Sequence, residues 1–261
     1  MKIQVLGCSG SIARDSRTTS FLLDEDVLID AGTGVGDLTL DALQRIDHIL
    51  LTHSHLDHVL GVPLLADSVL RRRQARGAPP IEVHALPETI AVLRNHLFNN
   101  LVWPDFTRLP TAESPVLRFV PFEVGDTLAL GERRVEVLTA RHSVPACGFA
   151  VMGPDGGRGA WVFSGDTGPN PPFWERIAQF PVAHIVIETA FSEHECRLAK
   201  ASGHHCPSSL AAELASAPAD ARVYITHIKP GEIDAVMAGL RSLNRERPLM
   251  ELLKGDTFEL G

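Results

Sequence analysis

The feature that most constrains this chain is a dense group of metal-binding side chains directly behind a short apolar run. Residues 48–58 read HILLTHSHLDH, and the last six of them contain three histidines and one aspartate. The apolar run is typical of a short buried strand, and HVLGVPLLADSVLRRRQ behind it predicts a helix that begins near His58. The polar side chains therefore lie at a strand-to-helix turn.

The spacing within this turn favours two sets of ligands. His53 and His55 are two residues apart, so on an extended chain their side chains point to the same side. Asp57 and His58 follow where the chain turns into the helix. Neutral imidazole and carboxylate are the groups that zinc and similar divalent ions prefer. One ion cannot use all four groups and keep an open coordination position, so the pattern predicts two ions.

Three residues at the ends of other apolar runs would complete such a site. His142, Asp166 and His227 each follow a β-rich run and precede Gly or Pro punctuation. The two oxygens of Asp166 could bridge both ions. Taken singly, each of the three is more typical of a turn or cap residue. Asp30, in LIDAGTG, either accepts a hydrogen bond from a ligand imidazole or simply forms its turn.

Strand-like and helix-like segments occur in both halves of the chain. Residues 116–163 are rich in short strands, while VGDLTLDALQRI near the start has helical spacing. We expect a β-rich core with helices on its outer faces, in a single domain over residues 1–261 with a helical insertion around residues 86–110. The basic segment RRRQARGAPP, residues 71–80, predicts a solvated helix end that leads into a loop.

Charge and composition argue against some functions. The formal net charge is −8, whereas a large nucleic-acid-binding surface needs a basic field. No apolar run is long enough to span a bilayer, and the first residues, MKIQVLGCSG, show no signal-peptide pattern. The four cysteines contain no CxxC pair, so we expect reduced thiols, a cytoplasmic location and no membrane partner.

The motif HxHxDH at residues 53–58 resembles the signature of the metallo-β-lactamase superfamily. The later candidate ligands fall in the order that this superfamily uses. The resemblance covers nearly the whole chain and implies an α/β (α+β) fold, a four-layer αββα sandwich with a dinuclear metal site at one edge. The ligands that it implies are His53, His55, Asp57, His58, His142, Asp166 and His227.

Further segments resemble the class II 3′,5′-cyclic-nucleotide phosphodiesterases: HSHLDHVLGVPLL, NNLVWPDF, FSGDTGPN, IETAF, SGHHCP and ITHIKPGE. This narrower resemblance implies hydrolysis of cAMP, cGMP or both to 5′-monophosphates by a hydroxide bound to two divalent ions. Zinc is the expected metal, with Mn²⁺ or Fe as alternatives. Asp57 would also orient the hydroxide. A homodimer is one assembly that the sequence allows.

The departing ribose 3′-oxygen needs a proton or a metal, and the resemblance places an acid in the SGH motif. His204 is the candidate acid, because histidine titrates in the useful pH range. His205 is the alternative acid, and if His204 has that role, His205 is expected to contact the substrate. The family usually continues this motif with an apolar residue and Thr-Pro, whereas this chain has His205-Cys206-Pro207. Ala190 stands where the family usually has Ser.

A cyclic nucleotide also presents a flat base. The segment HLFNNLVWPDF supplies Phe98, Trp103 and Phe106 for stacking, and Asn99 and Asn100 for hydrogen bonds. Stacking on an aromatic ring contributes roughly 1–3 kcal/mol per base. The alternative for each ring is that it packs an inserted helix onto the sandwich.

Two other functions fit the same residues less well. A tRNA 3′-processing endonuclease on this scaffold should carry a basic arm that grips phosphates, and only the short RRR run resembles one. A non-catalytic sensor of nucleotide or metal would be favoured by an incomplete ligand set, but every expected ligand position is filled. We therefore expect a small cyclic nucleotide as the substrate and no large nucleic acid as a partner.

Overall fold

Two seven-stranded sheets form the centre of the computed structural model, which describes residues 1–154 and 159–261. In spatial order the first sheet contains β14 (Thr257–Glu259), β1 (Lys2–Gly7), β2 (Ser20–Leu23), β3 (Val27–Ile29), β4 (His48–Leu50), β5 (Ile81–Ala85) and β6 (Leu117–Pro121). The second contains β13 (Leu249–Glu251), β12 (Arg222–Thr226), β11 (Val182–Glu188), β10 (Ala160–Phe163), β9 (Cys147–Val151), β8 (Arg133–Thr139) and β7 (Thr127–Leu130).

Helices occupy the connections between the strands. They are α1 (Leu40–Leu43), α2 (Leu56–Val59), α3 (Gly61–Ala75), α4 (Pro87–Val92), α5 (Pro171–Ile177), α6 (Cys196–Ser202), α7 (Pro207–Glu213) and α8 (Ile233–Leu243). Short 3₁₀ turns cover Thr33–Asp37, Glu193–Glu195 and Leu214–Ser216, and one π turn extends α4 over Leu93–Leu97. Among the residues that the structure describes, no helix is both long and apolar enough to cross a membrane.

Three apolar clusters explain the layering. The inner cluster joins the facing sides of the two sheets, where the ring of Phe21 lies 5.2 Å from that of Trp161 and 4.9 Å from that of Phe163. A second cluster packs α3 onto the outer face of the first sheet, and a third packs α5, α7 and α8 onto the outer face of the second. The predicted four-layer αββα sandwich is confirmed.

Parallel pairing places the polar strand ends at one edge of the sandwich. β3, β4, β5 and β6 run parallel in the first sheet, as do β10, β11, β12 and β13 in the second. Asp30 directly follows β3, and the segment 53–58 comes shortly after β4. In the second sheet Asp166 follows β10, and His227 follows β12. The carboxyl ends of both parallel sets therefore deliver the candidate ligands to the same place.

Two helix predictions need correction. The segment VGDLTLDALQRI is not one helix, because Thr39 starts a new one by accepting a hydrogen bond from the backbone N–H of Ala42. The segment 71–80 is not wholly solvated, because Arg73 is buried at the end of α3. Its guanidinium donates to the carbonyls of Gln44, Ile46 and Pro79 and to the carboxylate of Asp47 at 2.7–2.9 Å.

The prediction of four reduced cysteines is wrong, because Cys196 and Cys206 form a disulfide. Cys8 and Cys147 have free thiols. The bonded pair are ten residues apart in sequence, and their approach depends on a chain reversal at Gly203, whose φ of +71° ends α6. Spacing alone could not show this, and the cysteines no longer support a reducing compartment.

We expect Arg73→Met to lower the free energy of unfolding by about 2–4 kcal/mol, because four buried or half-buried acceptors lose their donor. The matched control is Arg72→Met, whose partner Asp41 is largely exposed. That change should cost at most about 1 kcal/mol. Urea denaturation of both variants measures the difference, and equal losses would contradict the buried role of Arg73.

Candidate metal centre

The first ligand set consists of three histidines from two loops. Donor atoms of His53, His55 and His142 lie within 4.8 Å of one another. His142 Nε2 is 3.1 Å from His55 Nδ1. His53 and His55 come from the turn after β4, and His142 comes from the loop after β8. The two sheets therefore both contribute to this set.

The second set contains Asp57, His58, Asp166 and His227, again with donor atoms within 4.8 Å of one another. Asp166 Oδ2 lies 3.3 Å from the Nε2 atoms of both His58 and His227. The same oxygen is 3.7 Å from His53 Nε2, which belongs to the first set. Asp57 Oδ2 is 3.6 Å from His58 Nε2 and 3.7 Å from His227 Nε2. Asp166 is therefore positioned between the two sets, as a bridging ligand would be.

The buried donor atoms fit metal ions better than they fit each other. His53 Nε2, His58 Nε2 and Asp166 Oδ1 have no hydrogen-bond partner within the described residues. An unsatisfied buried polar atom costs roughly 1–3 kcal/mol, so three at one point require an explanation. Imidazole and carboxylate donors suit zinc, and they also suit manganese and iron. The arrangement accommodates two divalent ions.

The outer nitrogens of the ligand rings are held in place by partners outside the sets. A fixed outer nitrogen sets the tautomer and the direction of the ring. The partners are Thr52 Oγ1 for His53, Asp30 Oδ2 for His58, the Gly203 carbonyl for His142 and Thr19 Oγ1 for His227, at 3.0, 2.7, 2.9 and 3.3 Å. Asp30 itself accepts from the Thr52 backbone N–H at 2.8 Å. The contact expected between Asp30 and a ligand imidazole is present in the structure.

Two residues of the centre have a left-handed backbone, with φ of +53° at Asp30 and +63° at His227. Such a conformation costs on the order of 1–3 kcal/mol for a residue other than glycine. Backbone hydrogen bonds stabilise this conformation at both residues. The N–H of Asp30 donates to the Leu50 carbonyl and that of His227 to the Cys8 carbonyl, both at 2.8 Å. A Cβ on Gly10 would meet the His227 carbonyl at 2.3 Å, so the glycine turn near the N-terminus supports His227.

Electrostatics favour an ionised aspartate among largely neutral histidines. Burial lowers the pKa of His53 well below its usual value and that of His227 to about 4. Burial would also lower the pKa of His58, but Asp166 and Asp30 outweigh it and raise that pKa well above normal. His227 and His58 in turn outweigh burial and hold the pKa of Asp166 well below normal. A metal ion needs neutral imidazole, so its binding displaces the proton from His58.

His204 lies against the ligand sets and has a buried carboxylate behind it. Its ring centroid is 4.7 Å from that of His142 and 5.4 Å from that of His227. His204 Nδ1 lies 2.8 Å from Glu188 Oε1. Burial would lower the pKa of His204, but the charge and hydrogen bond of Glu188 outweigh it and raise that pKa. The imidazolium form is therefore stabilised beside the centre.

His205 is placed differently. Its side chain is fully buried, and its Nδ1 lies 3.0 Å from the hydroxyl of Ser209 in α7. Burial, and then the charge of His204, lower its pKa to about 3. The structure therefore brings His204 to the ligand sets, while His205 packs beneath them.

The predicted base-binding segment lies in and around the core of the first sheet. The rings of Phe98 and Phe106 are buried in the cluster under α3, and Trp103 packs against that cluster. Asn99 Oδ1 accepts from the N–H groups of Leu101 and Val102, while Asn100 Oδ1 accepts from that of Asp105. In this conformation the rings pack the segment and the amides hold its turns, so base stacking here stays a prediction.

A cavity of about 680 Å³ opens beside the centre. His142 and His204 form its wall on the metal side, and Arg141 and Lys200 add two cationic side chains. A pocket of this size lies within the roughly 300–1,000 Å³ typical of small-molecule sites. The cavity can therefore admit an anionic molecule of nucleotide size next to the ligand sets.

Several functional residues were missed in the sequence. Glu188 is fully buried and accepts from the N–H groups of Thr167 and Ala190, both at 3.0 Å, as well as contacting His204. The sequence did contain an indication of Glu188, because this acid ends the apolar run VAHIVIE just as Asp30 ends VLID. Arg141 and Lys200 gave no such signal, since single exposed cations are common in any sequence.

Comparisons with known proteins agree with this geometry. A family model described as "Beta-lactamase superfamily domain" matches residues 25–228, and since this is most of the chain, the chain belongs to that family. Ribonuclease Z of Bradyrhizobium sp. (strain ORS 278) is 35% identical over 158 residues, which cover 57% of this chain and 49% of that protein. The chain thus spans about half the length of that curated relative.

Two further likenesses extend over more of the chain. A 3′,5′-cyclic-nucleotide phosphodiesterase of Schizosaccharomyces pombe (strain 972 / ATCC 24843) is 26% identical over 247 residues, 81% of this chain and 67% of that protein. The crystal structure of unliganded yeast PDE1 matches with a TM-score of 0.79 and 19% identity, covering 98% of each chain. The predicted membership of the metallo-β-lactamase superfamily is confirmed, and the chain carries a His/Asp cluster that can hold divalent ions.

We expect Asp166→Asn to lower the metal content of the purified protein by at least one ion per chain. The variant keeps the size of the side chain but removes the charge shared by the two ligand sets. Metal analysis by mass spectrometry after dialysis measures the content, with Asp67→Asn on the exposed side of α3 as the control. A variant that holds as many ions as the wild type would contradict the bridging position.

Proposed function

We propose that this protein hydrolyses 3′,5′-cyclic nucleotides to 5′-monophosphates with two divalent ions. The observation that carries the proposal is His204, which is backed by Glu188, lies against the ligand sets and lines a cationic cavity of nucleotide size. Metal ligands alone would suit many hydrolases of this fold. A protonated histidine beside the ligand sets adds a group that can supply a proton to a poor alkoxide leaving group.

Each residue of the site has a separate role in the proposed reaction. When bound, the two ions supply an activated water and positive charge for the phosphate oxygens. Arg141 and Lys200 attract the phosphate and hold it at the mouth of the cavity. Asp57 is the ligand carboxylate most open to solvent, with 30% of its side chain exposed, and it orients the attacking water. His204 donates its proton to the departing ribose 3′-oxygen, and Glu188 keeps that proton on the ring until it is needed.

The second candidate is a tRNA 3′-processing endonuclease, which the ribonuclease Z relative supports. The net charge of −8 opposes it, because a protein that grips tRNA needs many phosphate contacts from Lys and Arg. Within the short RRR run, Arg73 is already buried against backbone carbonyls and cannot contact RNA. A small phosphodiester therefore fits better than a folded RNA.

The direct test offers cyclic AMP, cyclic GMP, bis(p-nitrophenyl) phosphate and a precursor tRNA side by side to the protein loaded with Zn²⁺ or Mn²⁺. We expect release of 5′-monophosphate from at least one cyclic nucleotide, measured by chromatography. Cleavage of the precursor tRNA alone would overturn the proposal in favour of the nuclease. Tight nucleotide binding without turnover would indicate a sensor.

We expect His204→Asn to lower kcat/KM for the cyclic nucleotide by about 10²–10⁴-fold, the usual contribution of a positioned acid. The loss for bis(p-nitrophenyl) phosphate should be much smaller, because p-nitrophenolate leaves without a proton. His205→Asn is the matched neighbour and should affect both substrates equally. Equal losses on both substrates for His204→Asn, at unchanged metal content, would remove His204 from the role of acid.

A further inference from the structure

A second group of metal-binding side chains lies on β4 and β5, away from the dinuclear centre. His48 begins β4, whereas the dinuclear ligands follow the other end of that strand. At roughly 3.3 Å per residue, the five residues from His48 to His53 span about 16 Å. In the sheet His48 pairs with Glu82, and His84 lies two residues further on β5. Side chains two apart on a strand share a face, so the three point to the same side.

The donor atoms of this triad (His48, Glu82 and His84) have the spacing of a zinc site. His48 Nδ1 lies 3.2 Å from His84 Nε2. Glu82 Oε2 lies 3.5 Å from His48 Nδ1 and 3.6 Å from His84 Nε2. Tetrahedral zinc with ligands at roughly 2.0–2.2 Å separates neighbouring donor atoms by about 3.3–3.6 Å. All three distances match the edges of such a tetrahedron to within about 0.1 Å.

Burial and access suit a bound ion with one open position. The side chain of His84 is only 6% exposed, which fixes one ligand firmly, while those of His48 and Glu82 are 23% and 32% exposed. Solvent can therefore reach the point where the donors meet and supply a fourth ligand. Burial, and then the neighbouring His48, lower the pKa of His84 to about 4, so its ring is neutral and has a lone pair for a metal.

The surrounding charges leave one carboxylate oxygen free for the ion. Arg118 Nη1 contacts Glu82 Oε1 at 3.5 Å, whereas Oε2 is the oxygen that faces the histidines. Arg118 is largely exposed and can turn outward when a cation binds. Asp26 is close enough to His48 for the two charges to interact, but it is already paired with Arg133 and adds little net charge at the triad.

We propose that His48, Glu82 and His84 bind one zinc ion, with water as the fourth ligand, in addition to the ions of the dinuclear centre. The site joins β4 to β5 at the amino-terminal end of their parallel pairing. None of its three residues lines the cavity beside the dinuclear centre, so its role is to stabilise the first sheet. The proposal is independent of the substrate assigned above.

The test is a crystal structure of the wild-type protein grown with excess zinc, with anomalous data collected on both sides of the zinc absorption edge. We expect a peak at the triad besides those at the dinuclear centre. Because each site gives its own peak, a failure at one does not obscure the other. Absence of the triad peak in crystals whose dinuclear centre is filled would overturn the proposal.

Zinc binding at the triad can also be measured in solution by comparing variants. Glu82→Gln keeps the shape of a half-exposed side chain but removes the anionic ligand, and His96→Ala removes an exposed histidine elsewhere. We expect Glu82→Gln to lose one zinc per chain on dialysis and to weaken its binding by more than about tenfold, since even outer partners of metal ligands contribute that much. His96→Ala should match the wild type. Equal zinc content in Glu82→Gln and wild type would overturn the assignment.

Discussion

The buried carboxylate of Asp166 is the interaction on which the rest of the centre depends. It comes from the second sheet, and its Oδ2 atom contacts His53 and His58 from the first sheet and His227 from its own. A buried carboxylate is strongly unfavourable unless cations or donors compensate it. The two halves of the sandwich are thus joined at this edge by charge, while a large apolar cluster joins their facing sides. Because ions bind only when both halves are in place, metal binding and folding stabilise each other.

A second ring of polar groups makes the ligand geometry specific. Thr52, Asp30, Thr19 and the Gly203 carbonyl each fix one imidazole through its outer nitrogen, and Glu188 does the same for His204. These groups lie at strand ends and chain reversals, where backbone N–H groups are free to satisfy them. The left-handed backbone at Asp30 and His227 follows from this requirement, since Asp30 must turn sharply to reach the ring of His58 and His227 must turn sharply to reach Asp166.

Local patterns in the sequence were enough to pick out the candidate metal ligands, and the resemblance that the HxHxDH motif carries implied the four-layer fold. Histidines and aspartates directly after apolar runs indicate strand ends, and parallel strand ends share an edge. What was missed depends on which distant segments meet. The burial of Arg73, the Cys196–Cys206 disulfide and the cations of the cavity follow only from tertiary placement. The aromatic rings near residue 100 were ambiguous for the same reason, since stacking and core packing favour identical residues.

The chain departs from the pattern of the phosphodiesterase family that it resembles at the wall of the cavity beside the metal centre. The His205-Cys206-Pro207 sequence replaces the usual apolar residue and Thr-Pro of the family that it resembles. Cys206 at that point caps α7 and is bonded to Cys196 at the start of α6, which closes a short loop around His204. Lys200 lies within the same loop, so one covalently closed segment carries both a cation and a histidine that line the cavity. Closing so short a loop restricts the alternative conformations of its backbone, which limits how far the two residues can move apart. The departure from the family pattern leaves the candidate metal ligands untouched and lies in the loop that lines the cavity.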